Sequence, residues 1–168
     1  MKLENSQLEA LEVIARDAGA GILSVYESEV FDVESKGDGS PLTRADRLAH
    51  DIIVAGLSEL TPQIPIVSEE SATEEMESRL SWETFWLVDP LDGTKEFIKR
   101  NGEFTVNIAL IHQGNPIYGV VYAPVLNSCF SGGTGYGAWR VDGKDCSRQE
   151  IMVASNGEGL MTVGASRL

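Results

Sequence analysis

The sequence predicts an α+β domain in which two N-terminal helices pack on a mostly antiparallel sheet. Two observations carry this reading. Before Thr61, apolar residues recur twice at helical spacing. After Pro65 the apolar runs are short and separated by turn signals such as Asp92-Gly93 and Gln113-Gly114. Helices first and hairpin-linked strands later build a layered domain. No internal repeat and no linker divides the 168 residues, a length that suits one domain with a sizeable core.

The elements follow in order. Leu8, Leu11, Ile14, Ala15, Ala18, Ile22 and Val25 predict a helix over 6–26, with Ser6 and Glu9 as a capping box. Residues 30–35 alternate as a strand, and 37–41 read as a loop. Thr43 with Asp46 caps a second helix running to about Leu60, with Leu48, Ile52, Ile53 and Leu57 as its apolar face. Thr61-Pro62 stops it. A short strand over 65–68 delivers Glu69-Glu70, and 73–80 reads as an exposed helix. Residues 85–88 form a buried strand that Pro90, lacking an N–H, is expected to end. Asp92-Gly93 turns the chain into a helix capped by Thr94. Strands over 104–112 and 117–123 flank a hairpin at Gln113-Gly114, and 124–127 is a turn. Strands over 129–131 and 138–141 flank a glycine-rich segment read as a flexible loop. Asp142-Gly143 is a further turn, and strands are expected over 150–154 and 161–164.

Composition limits the function. The net charge of -13 argues against a nucleic-acid polymer or an anionic membrane as partner. It leaves room for a small anionic substrate, because a bound cation inverts the local field. Cys129 and Cys146 lack metal-ligand spacing and read as free thiols in a reducing compartment. No apolar run is long enough to span a membrane and the N-terminus has no signal-peptide core, so a cytoplasmic protein is the default. Peripheral association with the inner membrane stays open.

The chemistry centres on the turn that follows the strand at 85–88. Asp89 and Asp92 both reach the space above it, where two like charges repel unless a proton or a cation joins them. Carboxylate and carbonyl oxygens suit a hard ion such as Mg2+. The turn opens onto a helix start, whose free N–H groups favour a phosphate. The alternative is a capped turn with two solvated carboxylates. An EF-hand fails, since Val88, Pro90 and Lys99 would fill three ligand positions. His50 falls on the second helix and His112 at a strand end, neither with a zinc-like partner. Asp46, in a first helical turn, reads locally as a capping residue.

Three motifs resemble one superfamily. Residues 86–94 are similar to the Asp-Pro-Leu-Asp-Gly-Thr motif of the inositol monophosphatase-like phosphatases, which are Mg2+-dependent and lithium-sensitive. Ser68-Glu69-Glu70 resembles their Glu-Glu motif. Residues 35–46, Ser-Lys-Gly-Asp-Gly-Ser-Pro-Leu-Thr-Arg-Ala-Asp, resemble their Ser-Pro-x-Thr-x-Ala-Asp segment. The continuation to Ile111 resembles the bacterial CysQ branch, the 3'(2'),5'-bisphosphate nucleotidases of sulfur metabolism.

The resemblance implies a site. Glu69, Asp89 and the Leu91 carbonyl would hold one Mg2+, and Asp89 and Asp92 a second, within a set of two or three ions. Asp46 and Thr94 would orient and deprotonate the attacking water. Gly93 and Thr94 N–H groups would bind the scissile phosphate, with Glu69, Leu91 and Asp92 lining the same substrate position. The implied reaction is hydrolysis of 3'-phosphoadenosine 5'-phosphate to AMP and phosphate. An inositol or sugar phosphate is the alternative substrate. The implied fold is the N-terminal lobe of the family, residues 1–168 as one unit. The family's second lobe carries a Trp-Asp-x-Ala-x-Gly motif, and no Trp-Asp pair stands here. A metal-binding lobe of little activity, prone to self-association through an uncovered face, is the further expectation.

Overall fold

The computed structural model describes residues 2–28, 33–35, 41–71, 82–143 and 147–153. The predicted helix over 73–80 and strand over 161–164 lie outside them, as do Cys146 and Ala154. Helix α1 (Asn5–Tyr26) buries Leu8, Leu11, Ala15, Ala18, Ile22 and Val25 along one stripe, the spacing of a half-buried helix. Its capping box is Glu4 with Gln7, not Ser6 with Glu9. Leu3 and Leu8 flank this earlier box and both enter the core, the arrangement of a hydrophobic staple that selects Glu4 as the cap. Helix α2 (Arg44–Leu60) starts as expected, at Thr43 with Asp46 three residues on.

Nine short or medium strands among the described residues form two sheets. Strands β1 (Val33–Ser35) and β2 (Pro41–Thr43) pair antiparallel just before α2. The second strand occupies the end of the expected loop, because the partner at 33–35 gives its backbone groups somewhere to bond. The main sheet runs in the order β3 (Ile66–Ser68), β4 (Thr84–Asp92), β5 (Thr105–His112), β6 (Asn115–Ala123), β7 (Ser128–Gly133), β8 (Gly137–Asp142), β9 (Ser147–Glu150). Among the described strands only the β3–β4 pair is parallel.

Three departures from the sequence reading have physical causes. Strand β4 continues through Pro90 to Asp92. The register breaks between Asp89 and Asp92, so the proline's missing donor falls where no ladder bond is needed. The glycines at 132 and 133 belong to β7 rather than to a flexible loop. A Cβ on Gly133 would lie 2.1 Å from the Ile117 carbonyl oxygen, and one on Gly132 2.7 Å from that of Gly137. Close approach of neighbouring backbones, not mobility, requires glycine there. The last described strand is Ser147–Glu150, earlier than 150–154, because the turn after Asp142 pairs Asp142 with Ser147 and Trp139 with Glu150.

Both helices lie on one face of the sheet. Helix α1 packs on β5, β6 and β7, and α2 on β3 and β4. Trp86, fully buried, donates from Nε1 to Thr61 Oγ1 at 2.8 Å, which ties the end of α2 to β4. On the opposite face Leu87, Val121 and Phe130 remain 46%, 42% and 37% exposed, so that face has no helix layer among the described residues. No described helix is long and apolar enough to cross a membrane.

Candidate active site

Strand β4 ends at Asp92 and helix α3 (Thr94–Ile98) begins two residues later. Gly93 joins them at φ 98°, ψ 38°, and a Cβ there would meet the Glu103 carbonyl oxygen at 2.9 Å. Only glycine fits that backbone and that space. Beneath the turn, Phe97 packs against Tyr26 and Phe104 with ring centroids 5.2 and 5.4 Å away. This aromatic triad fixes α3 against α1 and the start of β5. Thr94 does not cap the helix as the sequence suggested, because Gly93 holds the cap position and contributes no side chain. The Thr94 hydroxyl is thereby free to point back, and lies 3.2 Å from Asp46 Oδ1 and 3.3 Å from the Leu91 carbonyl oxygen. Its single hydrogen is shared between the two acceptors.

Asp46 is 1% exposed and its carboxylate is surrounded by donors. Oδ2 accepts from the Thr43 N–H at 2.7 Å and the Thr43 hydroxyl at 2.6 Å. Oδ1 accepts from Thr94. The capping role read from the sequence is therefore real, and the same carboxylate also reaches across to the Asp92–Thr94 turn. A buried charge supported by three donors keeps its geometry at little further cost.

Asp89 is the opposite case. It is half-buried, and burial pushes its carboxyl up to about 7 from an ordinary 3.8. The negative charges of Glu69 and then Asp92 push the same way, as does a carboxyl–carboxyl hydrogen bond with Glu69 that needs a proton; only the Leu91 backbone pulls it down. Asp89 Oδ1 is buried and has no hydrogen-bond partner among the described residues. Glu69 and Asp92 are exposed beside it, and the structure brings Asp89 within the field of both. Among the described residues, however, no three His, Cys, Asp or Glu side chains converge as a finished cage. Cations would be held by pairs of carboxylates, with carbonyl and water oxygens completing the shell, as Mg2+ commonly accepts. The orphaned oxygen and the raised pKa both fit that occupant.

Three further residues support the site: the sequence reading gave Asn107 no role, Thr43 only that of a helix cap, and His50 only a place on the second helix. Asn107, paired with Asp89 across β4 and β5, donates from Nδ2 to Asp92 Oδ2 at 3.1 Å. Its amide oxygen accepts from the Thr105 hydroxyl at 3.2 Å. Thr43 orients Asp46. His50 Nδ1 lies 2.8 Å from the Ser68 hydroxyl oxygen. The signal for Asn107 was a polar amide inside an otherwise apolar strand. Glu69, Asp89 and Asn107 form the polar end of an open groove of about 450 Å3, continued by apolar Leu87, Ala109 and Val121.

The model of the inositol monophosphatase family matches residues 4–166. The chain belongs to that family. Within the family, it is 52% identical over 155 residues to a protein of Escherichia coli O6:H1 named 3'(2'),5'-bisphosphate nucleotidase CysQ, covering 91% of this chain and 61% of that one. A protein of the same name from Salmonella typhimurium is 48% identical over 95% of this chain and 63% of its own. Among solved structures, CysQ from Bacteroides thetaiotaomicron, described as a bacterial member of the family, superposes with a TM-score of 0.73 at 42% identity. That match covers 91% of this chain and 60% of the other. The chain thus spans about three fifths of the length of these relatives, by the 61% and 60% just given. The α+β fold with two N-terminal helices on the sheet is the family's.

Proposed function

We propose that the chain carries the site of a Mg2+-dependent phosphomonoesterase that hydrolyses 3'-phosphoadenosine 5'-phosphate to AMP and phosphate, the reaction of sulfur assimilation. The observation that supports it best is the pairing of a satisfied Asp46–Thr94 couple with a neighbouring carboxylate, Asp89, that has no positive partner among the described residues. The nucleotidase names of the relatives favour this substrate over inositol or sugar phosphates.

Glu69, Asp89 and the Leu91 carbonyl would hold one Mg2+, and Asp89 and Asp92 a second. When bound, the ions supply charge neutralisation for the phosphate and for both the attacking and leaving oxygens. The remaining work falls to the chain. Gly93 and Thr94 present backbone N–H groups to the phosphate. Thr94 passes its hydroxyl hydrogen to Asp46 Oδ1 as its oxygen takes a proton from the attacking water. Thr43 holds Asp46 in place through both exchanges. The phosphorus–oxygen bond to the ribose breaks as the bond to water oxygen forms, and the leaving alkoxide takes a proton from solvent.

Phosphate release from 3'-phosphoadenosine 5'-phosphate with Mg2+, for the wild type and Asp92→Ala, tests the reading. Loss of turnover in the variant is expected, and equal rates overturn it. Inositol monophosphate alongside separates the two substrate classes, and inhibition by Li+ is expected from the family resemblance.

A further inference from the structure

Helix α2 touches the site twice. Asp46, in its first turn, reaches the Thr94 hydroxyl at 3.2 Å. His50 comes four residues later, one helical turn away on the same side. Its Nδ1 lies 2.8 Å from the hydroxyl oxygen of Ser68, which is fully buried at the end of β3. That oxygen also accepts from the Glu70 N–H at 3.4 Å, and it keeps both its hydrogen and a second lone pair for His50, the donor being set by the imidazole tautomer. The turn is closed by Ser71 N–H donating to the Ser68 carbonyl at 3.0 Å and by Ser68 N–H donating to the Ser71 hydroxyl at 3.4 Å. Between them sits Glu69, its N–H donating to the Val88 carbonyl at 3.0 Å, one residue before Asp89.

We propose that His50 is a positioning residue for Glu69, acting through Ser68 to hold the 68–71 turn so that the Glu69 carboxylate faces Asp89. The inference rests on the metal-site reading above and adds a residue to it. Two of the side chains that the turn holds reliably are short: Ser68 and Ser71. Glu69 itself is exposed and long, and costs rotamer entropy to fix. A buried hydroxyl anchored to a helix supplies a rigid base for it. Helix α2 then sets the distance between the proton-accepting side of the site and its cation-holding side. Outer groups of this kind orient ligands and commonly change metal affinity when removed.

The test uses the full chain, with His50→Ala, His50→Asn and Ser68→Ala. Asn can place an amide atom near the position of Nδ1 and serves as the rescue. Mg2+ titration by calorimetry should show about tenfold weaker binding for His50→Ala and Ser68→Ala, and recovery to within about threefold for His50→Asn. Hydrogen exchange without metal reads the same contact independently of any ion. The amides of Glu69, Glu70 and Ser71 should exchange faster in His50→Ala, while those of Ile108 and Val120 in the core strands should not. If no protein binds Mg2+, the metal-site reading fails while the exchange data still judge the His50 contact. Unchanged exchange at 69–71, or wild-type Mg2+ affinity in His50→Ala, overturns the proposal.

Discussion

The two acidic halves of the site stand in contrast. Asp46 is almost fully buried, yet three donors of the described residues meet its carboxylate. Asp89 is less buried, yet it is the carboxyl with the raised pKa and the orphaned oxygen. Depth alone does not decide whether a charge is tolerated; the supply of donors does. Around Asp46 the donors come from its own helix start, three residues away, and from one turn packed against it. Around Asp89 the charged neighbours among the described residues are two more carboxylates, against which stands one backbone hydrogen bond from Leu91. The first half is satisfied by donors of the chain itself, and the second is the half that the proposed cation would complete.

Asp46→Ala should break the complete half and cause the largest loss. The Thr43 N–H and hydroxyl would stay buried without an acceptor, and Thr94 would lose its proton acceptor. Phosphate release should drop about 10²–10⁴-fold, the usual contribution of a positioned base. Stability should fall by about 2–3 kcal/mol, which is roughly 4–12 °C in thermal midpoint for a chain of this size. Asp46→Asn keeps an acceptor oxygen and should recover most of the midpoint but not the rate. Equal recovery of both would remove Asp46 from the chemistry.

Asp89→Asn should do the reverse in the other half. It removes a charge that the metal-free fold does not support, so the thermal midpoint without Mg2+ at pH 8 should rise by about 2–4 °C. That corresponds to about 1 kcal/mol once solvent screening of a half-exposed group is allowed for. Mg2+ affinity should fall by about a hundredfold, at the severe end for groups in or next to a metal shell. A variant that loses both stability and binding would show that Asp89 is structural, and the contrast between the halves would disappear.

What the sequence made legible follows the same line. Thr43 with Asp46 is a local pattern, so the cap was readable from three residues' spacing. The acidic turn was readable because its chemistry is also local. The Thr94–Asp46 contact joins residues 48 apart in sequence, and nothing in the spacing states it; the family resemblance implied it. Thr94 was misread as a cap because the left-handed Gly93 takes that position. Pro90 was misread as a strand end because a register break cannot be seen without the partner strand. Asn107 and His50 were passed over for the same reason: their partners lie across the fold.

Titration sharpens the comparison next. The unfolded chain releases the Asp89 proton near 3.8 and the folded chain near 7. Below the lower value both states hold the proton and this group costs nothing. As pH rises from about 4 to about 7 the metal-free fold loses stability, and above 7 the loss is complete. With Mg2+ the direction changes, because the ion must displace that proton. Affinity should climb by up to about tenfold per pH unit below 7 and level off above it. Calorimetric titrations at several pH values, with melting curves on the metal-free chain, give both trends. A flat affinity across pH 6–8 would mean that Asp89 is not protonated in the free site.

Asn107→Ala should give the smallest effect and the finest reading of the incomplete half. The side chain bridges Thr105 to Asp92, accepting from the Thr105 hydroxyl and donating to the Asp92 carboxylate. Asp92 is exposed, so losing that donor leaves it solvated rather than stranded, and the midpoint should move by less than about 1 kcal/mol's worth. Its orientation toward Asp89 would relax, and Mg2+ affinity should weaken by several-fold, about tenfold at most. Asn107→Asp keeps the shape but replaces a donor by a fourth carboxylate. It should raise the charge penalty on Asp89 and push that group further above 7, which a shift of the pH–affinity curve to higher pH would show. If Asn107→Ala and Asn107→Asp shift the curve equally, the amide acts only as a spacer, and the electrostatic account of this half is wrong.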